Sequence, residues 1–386
     1  MQSSSALDYF PPPEDETGWR WLGAADLTDV AGFDPDGLAA VERDYNTRYG
    51  EDSSSVVIVR RGWLAKEFHA KNVPHTARFD LWSGTKSFTA TAWMMALARG
   101  LRIGDDGPAV SLDTRAYQLL PASTPLSDPR KAGITLRHLL SMTSGIAGEA
   151  RGIEGMPTAT DSGIYEFALG LAPNRFGETV GDLVAAPGAV WDYSDPGYAH
   201  LAMCFRAATG EELAEFMEAD VFAKLGIYAS WDRQGGAGWI GPHSNPHTGL
   251  HMSGRDLARF GYLIARGGRW GEEQVIPTEA IARMTAPSQP LNPAYGLGWW
   301  SNGNACYVPG LPRDLIALSG FRFNRCYIVP SLDLVVARVG AGATVSGDHT
   351  LIEGVVAAIV DAPAVAASAA GARRSEGVAT QPPTKG

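Results

Sequence analysis

Runs of β-branched and apolar residues lie near both ends of the chain and predict strands there. Near the N-terminus, the run at 55–60 is followed by an Arg61-Gly62 turn and by a second run at 63–68. Two such runs joined by a tight turn are typical of a β-hairpin. Near the C-terminus, apolar runs predict four further strands, at 295–300, 314–318, 322–329 and 333–340.

Elsewhere the apolar residues recur at intervals of three and four positions, which is typical of amphipathic helices. The predicted helices cover 34–48, 83–100, 135–145, 196–209, 211–222, 253–266 and 350–361. Because a mainly helical middle separates two strand-rich ends, we expect an α/β fold. One antiparallel sheet, built from both ends of the chain and flanked by helices, would carry an inserted, mainly helical domain.

The expected domain organisation follows from this arrangement. An extended arm occupies 1–20, a sheet domain combines 21–100 with 251–362, and a helical domain spans 101–250. Residues 363–386 are rich in Ala, Gly, Ser and Pro and lack an apolar period, so we expect a disordered tail there.

Composition argues against several classes of function. The chain has 386 residues and a formal net charge of −10, whereas nucleic-acid binding requires a basic surface. No apolar run approaches the roughly 20 residues of a membrane span. No cofactor is expected. The first residues, 1–5, lack the basic and apolar pattern of a signal peptide. A cytoplasmic location is therefore favoured, with export left open if a signal has been removed.

The cysteines form neither a disulfide framework nor a CxxC metal motif; they are Cys204, Cys306 and Cys326. Cys306 and Cys326 each precede a tyrosine, on segments predicted as strands, and whether they pair is left open. Histidines with the four-residue spacing of a zinc-binding helix occur at His243, His247 and His251. Prolines and a glycine among them break any helix, so no metal site is predicted.

Candidate chemistry begins with Ser83 and Lys86, three residues apart at the start of a predicted helix. This spacing places both side chains on one face of the helix. A serine hydroxyl needs a base before it acts as a nucleophile, and a buried lysine that loses its charge can be that base. A helix start also offers unpaired N–H groups to a developing negative charge. A surface Ser-x-x-Lys without function is the alternative.

Two further polar groups follow along the chain. Tyr193 lies in an aromatic, turn-rich stretch at 191–198 and can relay protons when a cation is nearby, although a core tyrosine is the commoner role. Ser319 and Gly320 lie at the end of a predicted strand, where a glycine lets a substrate approach the backbone. A backbone N–H there would complete an oxyanion site with the N–H of Ser83.

In this order, Ser83/Lys86, Tyr193 and Leu318-Ser319-Gly320 resemble the SxxK, YxN and (Lys/His)-x-Gly motifs of the serine β-lactamase and penicillin-binding-protein superfamily. The resemblance is to its class C β-lactamase-like branch, which includes family VIII carboxylesterases, D-alanyl-D-alanine carboxypeptidases, D-aminopeptidases and 6-aminohexanoate-dimer hydrolases. Longer stretches carry the resemblance further, at 134–145, 254–261, 267–270, 295–300 and 328–336.

The resemblance implies a β-lactamase/transpeptidase-like fold and an acyl-enzyme mechanism. Ser83 would attack a carbonyl carbon, while Lys86 and Tyr193 move the proton. The oxyanion would lie between the N–H groups of Ser83 and Phe321. Tyr193 and Lys86 would then help water to release the acyl group.

The second motif departs from the family pattern, because Asp195 stands where the family usually has an asparagine. An amide donates a hydrogen bond to a substrate carbonyl, whereas an ionised carboxylate only accepts. Beside Lys86, Asp195 would favour the charged ammonium and oppose its role as a base. The alternative, which we favour here, is that Asp195 points away and caps the helix that starts at Pro196.

The third motif also departs from the pattern. Leu318 stands where β-lactamases carry a cation that holds the substrate carboxylate, and this favours neutral esters or amides. Arg322 or Arg325 would be a substitute charge, but we expect both on a solvated strand face. The stretch His247-Thr248-Gly249 matches the third motif literally; it precedes the 253–266 helix, whereas the expected strand follows that helix, so we reject it.

Trp299 and Trp300 lie on a predicted strand, so one should face the site and the other should face away. Trp299 is the candidate substrate contact, with core packing as the alternative. The leading hypothesis is a serine hydrolase that acts on small carboxylic esters, as a monomer or homodimer. The alternatives are an amide hydrolase (β-lactamase, D-amino-acid peptidase or oligoamide hydrolase) and, from another class, a catalytically silent binding or sensor domain.

Overall fold

The structure is a computed structural model that describes residues 9–361, except 51, 71, 105, 149–162, 174–176, 178–181, 236–237 and 343–346. The helices within this part are α1 Leu27–Ala31, α2 Pro35–Tyr49, α3 Thr85–Ala98, α4 Leu136–Leu140, α5 Ile164–Leu169, α6 Asp195–Thr209, α7 Leu213–Met217, α8 Ala223–Leu225, α9 Gly254–Ala265, α10 Thr278–Thr285 and α11 Thr350–Ala357. The strands are β1 Ser54–Arg60, β2 Trp63–His69, β3 Phe79–Asp80, β4 Ser230–Trp231, β5 Arg233–Gln234, β6 His243–Ser244, β7 Leu250–Met252, β8 Arg269–Trp270, β9 Glu273–Gln274, β10 Trp300–Ser301, β11 Ile316–Gly320, β12 Asn324–Val329 and β13 Leu334–Gly340.

A six-stranded antiparallel sheet joins the two ends of the chain, with its strands in the order β10-β11-β12-β13-β1-β2. The predicted hairpin is confirmed, because β1 pairs with β2 across the Arg61-Gly62 turn. Strand β1 also pairs with β13 along its whole length, so that Ile58 lies opposite Val336. The expectation of one antiparallel sheet built from both ends of the chain is therefore confirmed.

Helices cover both faces of this sheet, which explains why every residue of β1 and β13 is buried. Helix α9 packs closely on one face through Gly261, where a Cβ atom would lie 2.7 Å from the side chains of Cys326 and Val335. Helix α2 lies on the other face, where the Tyr45 hydroxyl hydrogen-bonds to Ser54 Oγ on β1. Helix α11 packs against α2 on that same side.

Helix α3 lies between α9, on the sheet, and α6, on the helical side of the molecule. Residues 85–96 of this helix are all buried, as is typical of a helix that is enclosed on every side. Phe88 stacks on Phe260 of α9 with 4.1 Å between ring centroids. On the other side, Trp93 Nε1 donates to the main-chain oxygen of Leu201 in α6. The first turn of α3 carries Lys86, so this packing fixes where the lysine side chain starts.

Two predicted elements are shorter than expected. The strand predicted at 295–300 is reduced to β10, because Gly298 has a φ of +73° and breaks the extended run. The helix predicted at 211–222 ends at Met217 and continues as one π-helical turn over Glu218–Phe222. Strand β11, by contrast, reaches Gly320, two residues beyond the predicted end.

Other expectations have mixed outcomes. All three cysteines are free, so Cys306 and Cys326 do not pair. In the arm predicted at 1–20, the Pro11 carbonyl accepts a hydrogen bond from Arg259 of α9. The tail predicted at 363–386 lies outside the described residues. Among the helices that the structure describes, none combines the length and the apolar character that crossing a membrane requires.

Candidate active site

Ser83 lies on a tight turn that leads into α3, rather than on the helix itself as predicted. Residues Trp82–Gly84 form this turn, with 3-10 geometry. Trp82 has a φ of +50°, which is uncommon for a bulky side chain, and its N–H donates to Asp80 Oδ1 at 2.7 Å. Such a backbone conformation costs of the order of 1–3 kcal/mol and is concentrated at functional sites. The strained backbone at Trp82 therefore lies directly before Ser83 and helps to fix its position.

The side chain of Lys86 is 1% exposed, and its Nζ atom has three acceptors around it. These are Ser83 Oγ at 2.9 Å, the main-chain oxygen of His247 at 3.2 Å and Asp195 Oδ1 at 2.7 Å. An ammonium group has three N–H donors and no acceptor, so the surroundings match its charged form. Ser83 and Lys86 are thus in direct contact, as their spacing predicted.

Tyr193 lies on the other side of the Lys86 ammonium. Its ring centroid is 4.9 Å from Lys86 Nζ, and the side chain is buried. The Tyr193 loop is held by main-chain contacts to the stretch after α4, where Asp192 N donates to the Met142 carbonyl at 2.9 Å. A cation this close to an aromatic ring is attracted by the ring face. The structure therefore brings together all three residues that the sequence proposed as catalytic.

The favoured interpretation of Asp195 as a helix cap is wrong. The cap of α6 is Ser194, which has extended backbone and whose Oγ accepts from Gly197 N at 3.0 Å. Asp195 is in the first turn of the helix instead, and its carboxylate points to Lys86. Because the residue before it satisfies the helix start, Asp195 is available to the site.

Asp195 is buried beside a charge, and two effects on its pKa oppose each other. Burial has the largest single effect and raises the pKa of the carboxyl group, but the nearby Lys86 ammonium and smaller neighbouring effects together outweigh it, so the net pKa lies below the usual 3.8. Asp195 is therefore a carboxylate at neutral pH. Among the described residues, Lys86 is the one donor that reaches this carboxylate.

His247 contributes to the site through its main chain, which the sequence did not predict. Its stretch, His247-Thr248-Gly249, is not on the six-stranded sheet but leads into β7, so its rejection as the third motif agrees with the structure. The imidazole is fully buried next to Asp195 and Lys86, and burial lowers its pKa to about 4. The ring is therefore neutral at pH 7 and adds no charge to the site.

The edge of β11 lies against the turn that carries Ser83. Strand β10 pairs only with Ile316 and Ala317, so the segment Leu318-Ser319-Gly320 is left without a strand partner on that edge. A Cβ atom on Gly320 would lie 1.9 Å from the carbonyl oxygen of Leu81, so only glycine fits there. Phe321 follows, and its ring meets Trp82 edge-on with 5.3 Å between centroids. The turn that carries Ser83 and the segment that carries Phe321 are therefore in contact.

Leu318 is fully buried and packs towards Gly84, so no cation stands at this position of the third motif. The expectation that Arg325 lies on a solvated strand face is wrong, because its side chain is 3% exposed and Nη1 donates to the Gly320 carbonyl at 2.6 Å. Arg322 is half-buried, and its guanidinium lies 5.8 Å from the ring centroid of Trp82. Of the two arginines, Arg322 is thus the one whose charge lies beside the Ser83 turn.

The aromatic residue next to the site is Trp300, and the choice of Trp299 is wrong. Trp299 is fully buried and stacks on Phe260 in the core. Trp300 packs edge-on against Tyr295, which in turn is 6.3 Å from Tyr193. We use the name aromatic wall for the cluster Trp191, Tyr193, Tyr295 and Trp300.

Tyr198 is a further contact that sequence reasoning missed. Its hydroxyl donates to the Lys86 carbonyl at 3.0 Å and so ties α6 to the first turn of α3. It lies on the same helix as Asp195, one turn later, and this spacing is the signal that would have indicated it. Within the described part of the chain, no group of three or more His, Cys, Asp and Glu side chains is placed to hold a metal ion.

The sheet order, the inserted helices and the Ser-x-x-Lys turn facing a strand edge define a β-lactamase/transpeptidase fold. A model of the beta-lactamase family matches residues 38–350, and the chain belongs to this family. It is a serine hydrolase of the β-lactamase and penicillin-binding-protein superfamily.

Several known proteins are similar to the chain. Penicillin-binding protein 4 of Amycolatopsis lactamdurans is 24% identical over 304 residues, which are 70% of this chain and 74% of that protein. Two solved structures share the fold. EstCE1, described as a hydrolase with promiscuous acyltransferase activity, is 18% identical with a TM-score of 0.62, over 84% of this chain and 98% of that one. A D-stereospecific amidohydrolase from Streptomyces sp. is 17% identical with a TM-score of 0.57, over 84% and 99%.

Proposed function

We propose that the chain cleaves small carboxylic esters through an acyl-enzyme on Ser83. The position of Lys86 Nζ carries this proposal, because it donates to Ser83 Oγ at 2.9 Å and to the His247 carbonyl while it forms an ion pair with Asp195. A single hydroxyl oxygen is thereby held by a charged donor in a fixed orientation. Nucleophilic catalysis by serine requires this kind of positioning.

In the acylation step, Ser83 Oγ would attack the ester carbonyl carbon. Because Ser83 Oγ accepts from Lys86, we assign the transfer of the serine proton to Tyr193, whose hydroxyl takes this proton as it gives its own to the leaving oxygen. Collapse of the tetrahedral intermediate breaks the ester C–O bond, and the alcohol leaves with the proton from Tyr193. Water then attacks the acyl carbon, gives a proton to Tyr193, and the carboxylic acid is released as Ser83 recovers its proton.

The negative charge on the carbonyl oxygen would be stabilised by the N–H groups of Ser83 and Phe321. This assignment is supported by the close approach of the two segments at Gly320, whose missing side chain lets β11 touch the turn. Two preorganised N–H donors of this kind are usually a large contribution to catalysis, and removal of one costs about 3 kcal/mol.

The absence of a cation at Leu318 favours neutral esters over substrates that carry a carboxylate. An alcohol also leaves more easily than an amine, so an ester places less demand on the proton donor. EstCE1, a hydrolase of the same fold, fits this proposal. Amide hydrolysis is the second candidate, because Tyr193 beside Lys86 would be able to protonate an amine, and the amidohydrolase from Streptomyces shares the fold.

Covalent labelling tests the role of Ser83. A fluorophosphonate probe is expected to label the wild-type chain and to leave Ser83→Ala unlabelled. Ser331→Ala is the matched control, because this serine is exposed at the far end of β12 and contacts Asp314 instead of the site. Equal labelling of Ser83→Ala and wild type would contradict the assignment. A folded wild-type protein that neither takes up the probe nor hydrolyses any ester would indicate a silent binding domain.

A substrate comparison tests the ester proposal. Short-chain p-nitrophenyl esters, a chromogenic cephalosporin, a D-Ala-D-Ala peptide and linear amides should be compared by kcat/KM, each with Ser83→Ala as the blank. The esters are expected to be hydrolysed fastest. Faster turnover of the cephalosporin or of an amide, dependent on Ser83, would replace the ester proposal by its amide alternative.

A further inference from the structure

The Asp195 carboxylate has fewer hydrogen-bond donors than a buried anion needs. Its two oxygens have about four lone-pair positions, yet Lys86 is the one donor that reaches them among the described residues. A buried charge with unfilled acceptor positions is costly unless a further donor completes it. Besides Lys86, the carboxylate can therefore accept from a donor group of a bound substrate.

The location of Asp195 places these acceptor oxygens at the proposed reaction centre. Asp195 Oδ1 is buried against Lys86 Nζ, which itself holds Ser83 Oγ, so the carboxylate is two contacts from the reacting oxygen. The side chain is nevertheless 14% exposed, and because Oδ1 is buried, this exposure belongs to the rest of the group. Oδ2 is not among the enclosed atoms, so it is the carboxylate oxygen that a ligand can reach.

We propose that Asp195 is a specificity-determining residue that selects acyl groups with a hydrogen-bond donor, a hydroxyl or an ammonium, next to the scissile carbonyl. An acyl group that presents an amide carbonyl there would place two acceptors against each other, and the site disfavours it. This inference deepens the proposed esterase function and rests on it. The preferred substrates are esters of 2-hydroxy or 2-amino acids, and the disfavoured ones are their N-acylated counterparts.

The proposed preference depends on whether the side chain at position 195 accepts or donates a hydrogen bond. Aspartate and asparagine have the same shape, but a carboxylate accepts at both oxygens, whereas an amide donates at one of its two positions. Asp195→Asn therefore reverses the hydrogen-bonding character of the position with little change in packing. A site that leaves a buried polar group unpaired discriminates strongly, so the change in preference is expected to be roughly tenfold or more.

The test uses four methyl esters that share one carbon skeleton: propionate, D-lactate, D-alanine and N-acetyl-D-alanine, with the L-series in parallel. Their kcat/KM values are measured by following acid release at constant pH. For the wild-type chain, the kcat/KM values of the lactate and alanine esters are expected to be higher than that of the propionate ester. The kcat/KM of the N-acetylalanine ester is expected to be lower than that of the propionate ester. In Asp195→Asn, the ratio of kcat/KM for the N-acetylalanine ester to kcat/KM for the lactate ester is expected to rise roughly tenfold. A ratio that does not change would overturn the inference.

Binding measurements keep the inference testable if Asp195→Asn is inactive, since Asp195 also contacts Lys86. In a Ser83→Ala background the intact esters are not consumed, so their affinities are measured by calorimetry with and without Asp195→Asn. The same reversal of preference is expected, and equal affinities in both backgrounds would refute it. Asp113→Asn is the charge control, because this exposed carboxylate pairs with Arg137.

The two proposals fail in different ways. Hydrolysis that depends on Ser83 but shows no preference among the four esters leaves the esterase in place and removes the role of Asp195. Hydrolysis that persists in Ser83→Ala removes the esterase proposal itself.

Discussion

Asp195 Oδ1 lies 2.7 Å from Lys86 Nζ, and the two side chains are 14% and 1% exposed. Two opposite charges removed from water in this way compensate each other, while each of them alone would be costly. Lys86 Nζ also donates to Ser83 Oγ at 2.9 Å, so the ion pair is in direct contact with the proposed nucleophile. The same ion pair therefore affects both the stability of the fold and the surroundings of the proposed nucleophile.

The ion pair should be visible in a double-mutant experiment. Lys86→Met is expected to lower the free energy of unfolding by about 3–5 kcal/mol at pH 7, because it leaves the Asp195 charge uncompensated. The double variant Lys86→Met/Asp195→Asn is expected to recover most of this loss but no ester hydrolysis. Urea denaturation of the wild type, Lys86→Met and the double variant measures these free energies of unfolding. A double variant no more stable than Lys86→Met would contradict the coupling.

Gly320→Ala should damage the site through a steric clash. The added Cβ would lie 1.9 Å from the Leu81 carbonyl oxygen, so either β11 or the Ser83 turn has to move. We expect a stability loss of about 1–3 kcal/mol and at least tenfold lower kcat/KM. The control is Gly133→Ala, where no atom lies within 4 Å of the new Cβ and the change should stay within about 0.5 kcal/mol. Full activity of Gly320→Ala would refute this account.

His200 should make the fold sensitive to acid. It is fully buried on α6, and burial lowers the pKa of its imidazole to about 3. An unfolded chain binds the proton below about pH 6.5, whereas the folded chain resists it until pH approaches 3, so stability falls as pH falls through this window. We expect His200→Gln to reduce the slope of unfolding free energy against pH by about 1.4 kcal/mol per pH unit between pH 6 and 4. Identical slopes for both proteins would exclude this contribution.

The two adjacent tryptophans should respond differently to truncation. Trp299 is enclosed in the core, so Trp299→Ala is expected to cost about 3–5 kcal/mol of stability. Trp300 belongs to the aromatic wall, and Trp300→Ala is expected to raise KM for aromatic esters roughly fivefold, with a smaller loss of stability. Denaturation curves and steady-state kinetics on both variants check this. A larger increase of KM in Trp299→Ala than in Trp300→Ala would indicate that Trp299 contacts the substrate.

The sequence predicted those parts of the site that depend on local geometry. Ser83 and Lys86 are close because three residues span one helical turn, and this holds although Ser83 proved to lie on the preceding turn. The orientation of Asp195 was beyond the sequence, since it depends on whether Ser194 or Asp195 takes the helix cap, and both residue types are good caps.

Other parts of the site have no sequence signature at all. The His247 carbonyl that accepts from Lys86 is a main-chain atom, which every residue possesses. The exchange of Trp300 for Trp299 has a simpler cause, because the alternation of a strand shows that the two side chains face opposite sides but not which of them faces the site. Predicting either feature requires the path of the chain through 242–252 and 295–300, which long-range packing determines.

The pairing of β1 with β13 has a consequence for how the protein is made. These strands are joined side by side at Ile58 and Val336, which are 278 residues apart in a chain of 386. During synthesis, the β1–β2 hairpin leaves the ribosome long before its second partner exists, and its edge stays unpaired while most of the chain is translated. A ribosome that stalls before β13 therefore releases a chain with an unprotected strand edge, which is a target for chaperones and a starting point for aggregation.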